Sequence, residues 1–145
     1  MATTAATFRV ALIQMRSGRS PAANLDVATR LIGEAKAGGA DYVQTPEMTN
    51  ILEARRDALM TAIMPEHADS SLAAFRDLAR QHRLWLHIGS LALKISPDRA
   101  VNRGFLIDPQ GEIAARYDKI HMFDVDLPNG ESYRESRSYA PANTP

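Results

Sequence analysis

The sequence contains no cysteine, and this absence removes several kinds of site at once. Without a thiol, the 145 residues form no disulfide, hold no thiolate-bound metal and supply no cysteine nucleophile of their own. A chain without cysteine also fits a reducing compartment, so the cytoplasm is the expected location.

The chain also lacks an excess of either charge and a long apolar segment. Lys and Arg number 17, as do Asp and Glu, so no overall field attracts nucleic acid or an anionic membrane. Residues 1–7 carry no basic stretch, and the apolar run from Val10 to Ile13 is too short for a signal peptide or a membrane span. We therefore expect no nucleic-acid or membrane partner, but a small neutral substrate or a protein.

The length and the 45% hydrophobic and 23% charged content are typical of one globular domain. Strand and helix patterns alternate along the chain, which indicates the α/β class. The predicted elements are a buried strand over 8–15, a helix with Asn24 as N-cap that ends at Gly38–Gly39, a strand over 41–45, a short helix over 51–60, a helix capped by Asp69 or Ser70, a central strand over 84–93, a hairpin of strands 104–108 and 112–118, and a loop-rich tail after Ile120.

Three side-chain environments follow from these elements. Trp85 is expected in the core, and Gly89 is expected where two backbones approach closely. The alternation of Ile113, Ala115 and Tyr117 with polar residues predicts that these three form the buried face of the last strand, which delivers Lys119 at its end.

Glu47 and Lys119 each follow a predicted strand, where side chains from distant parts of an α/β chain converge. A carboxylate beside a lysine could accept a proton while the ammonium stabilises an oxyanion. Spacing alone favours an ordinary surface ion pair, because structural salt bridges make the same pairing. Glu135, in the polar segment from Ser132 to Ser136, is on this basis a solvated carboxylate.

Other kinds of site have little support. The four histidines show no zinc-binding spacing, Ser90 lacks a Gly-x-Ser-x-Gly elbow, and no glycine-rich phosphate loop occurs. We therefore expect neither a metal nor a cofactor.

Three segments match a known family in their order and spacing. They are Val10-Ala-Leu-Ile-Gln14 with Asn24-Leu25 downstream, Gly39-Ala-Asp-Tyr-Val-Gln-Thr-Pro-Glu-Met48, and Tyr117-Asp-Lys-Ile-His-Met-Phe-Asp-Val-Asp126. Together they resemble the nitrilase superfamily of carbon-nitrogen hydrolases. The last segment, followed by Tyr133-Arg-Glu-Ser136, is most similar to the Nit amidase branch, which includes omega-amidase and deaminated glutathione amidase.

The resemblance implies an α-β-β-α sandwich and a Glu-Lys-Cys mechanism without a cofactor. By that match Glu47 is the general base, Lys119 stabilises the oxyanion, and Glu135 orients Lys119 or the substrate. The expected substrate is a small linear amide such as a 2-oxo acid amide. In this family the nucleophilic cysteine follows the second glutamate, so residues 1–145 are expected to be the N-terminal part of the domain and inactive alone.

An incomplete sandwich exposes apolar strand faces, so a poorly soluble or homo-oligomeric chain is expected. Two other hypotheses remain open. The chain could be a non-catalytic fragment that acts as an oligomerisation or interaction module, which the missing cysteine favours. It could also be a small flavodoxin-like α/β domain that binds a ligand at its strand ends, although it lacks a phosphate loop.

Overall fold

A computed structural model describes residues 7–142, so predictions for residues 1–6 and 143–145 lie outside it. Its helices and strands, in chain order, are β1 (Val10–Leu12), α1 (Pro21–Ala37), β2 (Tyr42–Gln44), α2 (Arg56–Ala62), α3 (Ser70–His82), β3 (Trp85–Ser96), β4 (Arg99–Ile107), β5 (Ile113–Asp118), β6 (Asp124–Asp126) and β7 (Ser132–Arg134). Two single 3-10 turns, Glu66–Ala68 and Glu135–Arg137, complete the set. The predicted α/β class is confirmed.

The five strands β1 to β5 form one mixed sheet in sequence order. Pairing is parallel from β1 to β3 and antiparallel from β3 to β5. The predicted central position of β3 is therefore confirmed, as is the hairpin between β4 and β5. The strands β6 and β7 form a separate two-stranded hairpin within the predicted loop-rich tail.

The main core lies between one face of the sheet and the helices α1 and α3. Alternate strand residues point into it, so Val43, Leu86 and Phe105 pack against Ile32 and Phe75. A second, smaller cluster lies on the opposite face near the ends of β3 and β4; it comprises Ile51, Leu59, Ile63, Ala92, Ala100 and Tyr139. The segment around α2 thus covers part of the face that α1 and α3 leave open.

Two predictions about strand burial are wrong. The strand β1 is an edge strand with exposed Val10 and Leu12, because its apolar residues alternate between the core and the open face. The predicted buried face of β5 is divided between the two sides of the sheet. A shift in the pairing with β4 places Ile113 against the main core, whereas Ala115 is exposed and Tyr117 is 54% exposed on the open face, where no described element covers this edge. Trp85, predicted in the core, is half-buried on the same open face.

Two helix boundaries also differ from the prediction. The helix α1 begins at Pro21, and its N-cap is Ser20, whose Oγ accepts a hydrogen bond from the Ala23 N–H. Asn24 is instead buried inside the first turn, where its Nδ2 donates to the Asn50 carbonyl at 2.8 Å. The helix α2 begins at Arg56 rather than at residue 51. The predicted cap of α3 is confirmed, since Asp69 accepts from the Leu72 N–H.

Among the described residues, no helix combines the length and apolarity needed to cross a membrane.

Candidate active site

Glu47 lies in the turn that follows β2, and the neighbouring strand β3 fixes this turn. The Met48 N–H donates to Ser90 Oγ at 2.9 Å, and the Ser90 N–H donates to the Pro46 carbonyl at 3.3 Å. Met48 has a positive φ of 56°, which bends the chain sharply after Glu47. The predicted close approach at Gly89 is confirmed, because a Cβ there would lie 2.5 Å from the Thr45 carbonyl oxygen.

Lys119 follows directly after β5, as the sequence predicts. Its backbone N–H donates to the Asn102 carbonyl at 2.9 Å, which continues the pairing of β4 with β5 by one residue. The strand therefore sets the position of the lysine backbone, and the side chain turns toward the end of β2.

Glu135 comes from a different direction, at the start of the 3-10 turn that follows β7. Its Oε2 accepts a 2.6 Å hydrogen bond from the Phe123 N–H, and its own N–H donates to the Phe123 carbonyl at 3.2 Å. The β6–β7 hairpin thus orients this carboxylate. Glu135 is not the solvated residue that its polar segment indicates, because its side chain is only 14% exposed.

The structure brings all three predicted site residues into direct contact. Lys119 Nζ lies 2.8 Å from Glu47 Oε1 and 3.0 Å from Glu135 Oε2. We call Glu47, Lys119 and Glu135 the charged trio. Two carboxylates separated by 88 positions in the chain (135 − 47) therefore share one ammonium group. Three segments of the chain converge here, whereas spacing alone favoured an ordinary surface ion pair of Glu47 with Lys119.

Asn102 completes the contacts of the trio, and the sequence pattern did not single it out. Its side chain is buried in β4, and Nδ2 donates to Glu47 Oε1 at 2.8 Å and lies 3.4 Å from Glu135 Oε1. The strand β4 also carries Arg99 and Arg103, so one further polar residue gave little signal in the sequence, although a buried amide needs partners. Asn102 holds the two carboxylates on either side of the lysine.

The contacts shift the proton affinities within the trio. The hydrogen bond from Lys119 lowers the pKa of Glu47; burial opposes this shift, and the bond from Asn102 adds to it. Burial works against the charged form of Lys119, yet the hydrogen bonds to Glu47 and Glu135 outweigh it and raise the lysine pKa. Near neutral pH the Glu47 carboxylate and the Lys119 ammonium therefore both stay charged. Lys119 is 28% exposed and Glu47 is 56% exposed.

The trio lies at the wall of an open cleft of about 650 Å³. Apolar side chains, among them Met15, Leu59 and Tyr139, form much of the lining, and Arg16 and Arg134 also reach it. A smaller cavity of about 250 Å³ adjoins Glu47 and Lys119 on the side of Gly89, Gly104 and Tyr117. The cleft is large enough for a small organic molecule, and Glu53 adds a further charged group to its lining.

Other chemistry has no comparable cluster. Within residues 7–142, no group of three or more His, Cys, Asp or Glu side chains is arranged to hold a metal ion. Ser90 uses its hydroxyl to accept from a backbone N–H, and His87 Nδ1 is bonded to the Tyr42 hydroxyl at 2.6 Å. These side chains support the fold around the trio.

The model of the carbon-nitrogen hydrolase family matches residues 9–145. This chain belongs to the carbon-nitrogen hydrolase family. It is 38% identical over 136 residues to the deaminated glutathione amidase of Yersinia enterocolitica, covering 91% of this chain and 46% of that protein. The omega-amidase of Mus musculus is 28% identical over 142 residues, covering 95% of this chain and 49% of that protein.

Solved structures of the family share the fold. The C. elegans NitFhit protein superposes with a TM-score of 0.81 at 25% identity, over 92% of this chain and 33% of that one. A glutamate-to-glutamine mutant of the amidase from Nesterenkonia sp. AN1, with acrylamide added to its active-site cysteine, gives a TM-score of 0.77 at 24% identity, over 96% of this chain and 51% of that one. The carbon-nitrogen hydrolase chain described here thus spans about half the length of the curated relatives it matches.

Proposed function

We propose that this chain carries the glutamate-lysine-glutamate part of an amidase active site that works with a cysteine nucleophile. In this proposal Glu47 is the general base, Lys119 stabilises the oxyanion, and Glu135 holds Lys119 in place. The observation that supports it is the shared ammonium group, with Lys119 Nζ 2.8 Å from Glu47 and 3.0 Å from Glu135 at the wall of the cleft.

These groups suit amide hydrolysis by a cysteine nucleophile. The cysteine thiol would transfer its proton to the Glu47 carboxylate, and the thiolate would attack the amide carbon. The resulting oxyanion would form beside the Lys119 ammonium. Breaking of the carbon-nitrogen bond would release the amine, which takes its proton from Glu47. Water would then cleave the thioester, with Glu47 accepting its proton and returning it to the thiolate.

The 145 residues contain no cysteine, so we propose that the chain is inactive by itself. Residues 1–145 would correspond to the N-terminal part of a carbon-nitrogen hydrolase domain, and the nucleophile would belong to the part that follows in the relatives. The coverage of 46% to 49% of two curated relatives supports this assignment.

For the substrate we propose a small linear amide, of the 2-oxo acid amide type, in the cytoplasm. The relatives named as deaminated glutathione amidase and omega-amidase support the substrate class. The absence of cysteine agrees with a reducing compartment.

A second candidate function is a non-catalytic module that associates with further copies of the chain. The missing nucleophile and the exposed side chains of Val10, Leu12 and Tyr117 on the open face favour it. Such a module would retain the trio as a structural ion cluster and would gain no activity from a supplied cysteine.

A chimera separates the two functions. Residues 1–142 would be joined to the C-terminal half of the Yersinia enterocolitica amidase, and ammonia release from a 2-oxo acid amide would be measured. We expect turnover by the chimera and none by the 145-residue chain.

In the same chimera, Glu47→Gln should lower kcat by about 10²–10⁴-fold, the usual contribution of a general base. Lys119→Met should lower it by about 10²–10³-fold, as for a lost oxyanion donor. Glu34→Gln, an exposed change on α1, is the matched control and should keep full activity. A folded chimera without turnover, or one in which Glu47→Gln is as active as the control, would contradict the proposal.

A further inference from the structure

One buried hydroxyl beside the charged trio has no hydrogen-bond partner. Tyr139 is only 6% exposed, and its Oη is the single buried side-chain nitrogen or oxygen atom without a partner in residues 7–142. Folded proteins pair nearly all such atoms, because an unpaired buried hydroxyl destabilises the fold. Stability of the fold therefore does not account for a hydroxyl at this position.

The backbone of Tyr139 is held firmly, so the unpaired hydroxyl is not the result of a loose segment. The Tyr139 N–H donates to the Glu135 carbonyl at 3.0 Å, and Arg99 Nη2 donates to the Tyr139 carbonyl at 2.9 Å. The ring packs in the second core cluster with Leu59 and Ile63. These contacts set the place of the hydroxyl before any ligand arrives.

The surroundings of Tyr139 point to a ligand in the cleft. The side chain lines the same cleft as the charged trio. Burial, with smaller effects from Glu135 and Glu47, raises the pKa of the Tyr139 hydroxyl, which therefore stays protonated and can donate. Neither carboxylate accepts this proton in a hydrogen bond. A protonated donor beside this cleft suits a ligand with an oxygen acceptor.

We propose that Tyr139 is a substrate-binding residue whose hydroxyl donates a hydrogen bond to an oxygen atom of a small amide in the cleft, and this inference rests on the proposed function for the identity of the ligand. Met48 also lines the cleft and packs on the same cluster. Its flexible, unbranched side chain can shift to admit the ligand. Tyr139 would add an uncharged hydrogen-bond donor to the cleft that the charged trio lines.

The test uses the 145-residue chain with Tyr139→Phe and butyramide as the probe. Removing an unpaired buried hydroxyl should raise the Tm of the ligand-free chain by about 3 °C or more. Removing a donor to the ligand should increase the Kd for butyramide by about 3- to 10-fold, measured by NMR titration. Stability and affinity should thus change in opposite directions.

Tyr42→Phe is the matched control, because the Tyr42 hydroxyl lies outside the cleft and is already bonded to His87 at 2.6 Å. It should lower Tm and leave the Kd for butyramide unchanged. The inference is overturned if the parent chain does not bind butyramide, if Tyr139→Phe binds it as tightly as the parent, or if Tyr139→Phe lowers Tm. Loss of turnover in the chimera with intact probe binding would count against the proposed function alone.

Discussion

Gly89→Ala should destabilise the chain and disturb the position of Glu47. A Cβ at residue 89 would lie 2.5 Å from the Thr45 carbonyl oxygen and 2.6 Å and 2.7 Å from the Pro46 carbonyl carbon and oxygen. All three atoms belong to the backbone of the turn that carries Glu47, so none can move aside as a flexible side chain would. Overpacking of this kind costs about 1–3 kcal/mol. For a chain of this size, that corresponds to roughly 2–12 °C in Tm.

Urea unfolding gives the assay, with the midpoint reporting stability and the slope checking that the compactness of the states is unchanged. Gly33→Ala is the control: Gly33 lies in α1, and a Cβ there meets no atom within 4 Å. That substitution should stabilise the chain by about 0.5–1 kcal/mol, because alanine is the better helix residue. A Gly89→Ala midpoint equal to or above that of the parent would refute the close-approach argument.

Three other predictions concern the trio and the open face. Asn102→Leu should raise the pKa of Glu47 toward its ordinary value of 4.5, because one hydrogen bond to the carboxylate is lost. NMR titration of the Glu47 carboxyl carbon would measure this change, and an unchanged pKa would show that Asn102 does not affect the charge of the site. Because the pKa of Glu47 is lowered, its contribution to stability is present above pH 4.5 and is lost as pH falls through the folded-state pKa. Because the pKa of Lys119 is raised, its contribution is present below pH 10.5 and is lost as pH rises through the folded-state pKa. The stability difference between the parent and Lys119→Met should therefore be flat between these limits and shrink outside them; a difference that does not vary with pH would contradict the linkage. The exposed apolar residues of the open face should make the chain self-associate, and Leu12→Lys should shift it toward the monomer. Size exclusion with light scattering measures both, and a monodisperse parent monomer would contradict this expectation.

Much of the fold could be predicted from local patterns because they report local physics. The cap Asp69, the turn from Asp108 to Gly111 and the apolar strand from Leu84 each depend on neighbours in sequence. Burial of β1 and β5 could not be predicted in this way. Alternation marks which residues share a face, but only the rest of the fold determines whether a layer covers that face, and Tyr117 has no such cover.

The site residues likewise fall into those that local sequence indicates and those that only the tertiary structure reveals. Glu47 and Lys119 were identifiable from their places after strands, with roles implied by family resemblance. Glu135 gave no local signal, because its burial depends on the β6–β7 hairpin, whose pairing brings Arg134 opposite Asp124. Asn102 could not be identified for a different reason: a single amide in a strand becomes meaningful only when its partners, 55 and 33 positions away, are known.

The resting contacts of Glu47 oppose the role proposed for it, and in that proposal Glu135 would relieve the opposition. Lys119 lowers the pKa of Glu47, which makes the carboxylate a weaker base. In the proposed reaction the oxyanion would form beside Lys119 after the proton transfer and would take over the ammonium that Glu47 contacts at rest. Glu135, fixed by the Phe123 N–H at 2.6 Å, would keep Lys119 in position while Glu47 changes partners. With Glu135 as a second partner of Lys119, Glu47 would be free to hold the proton.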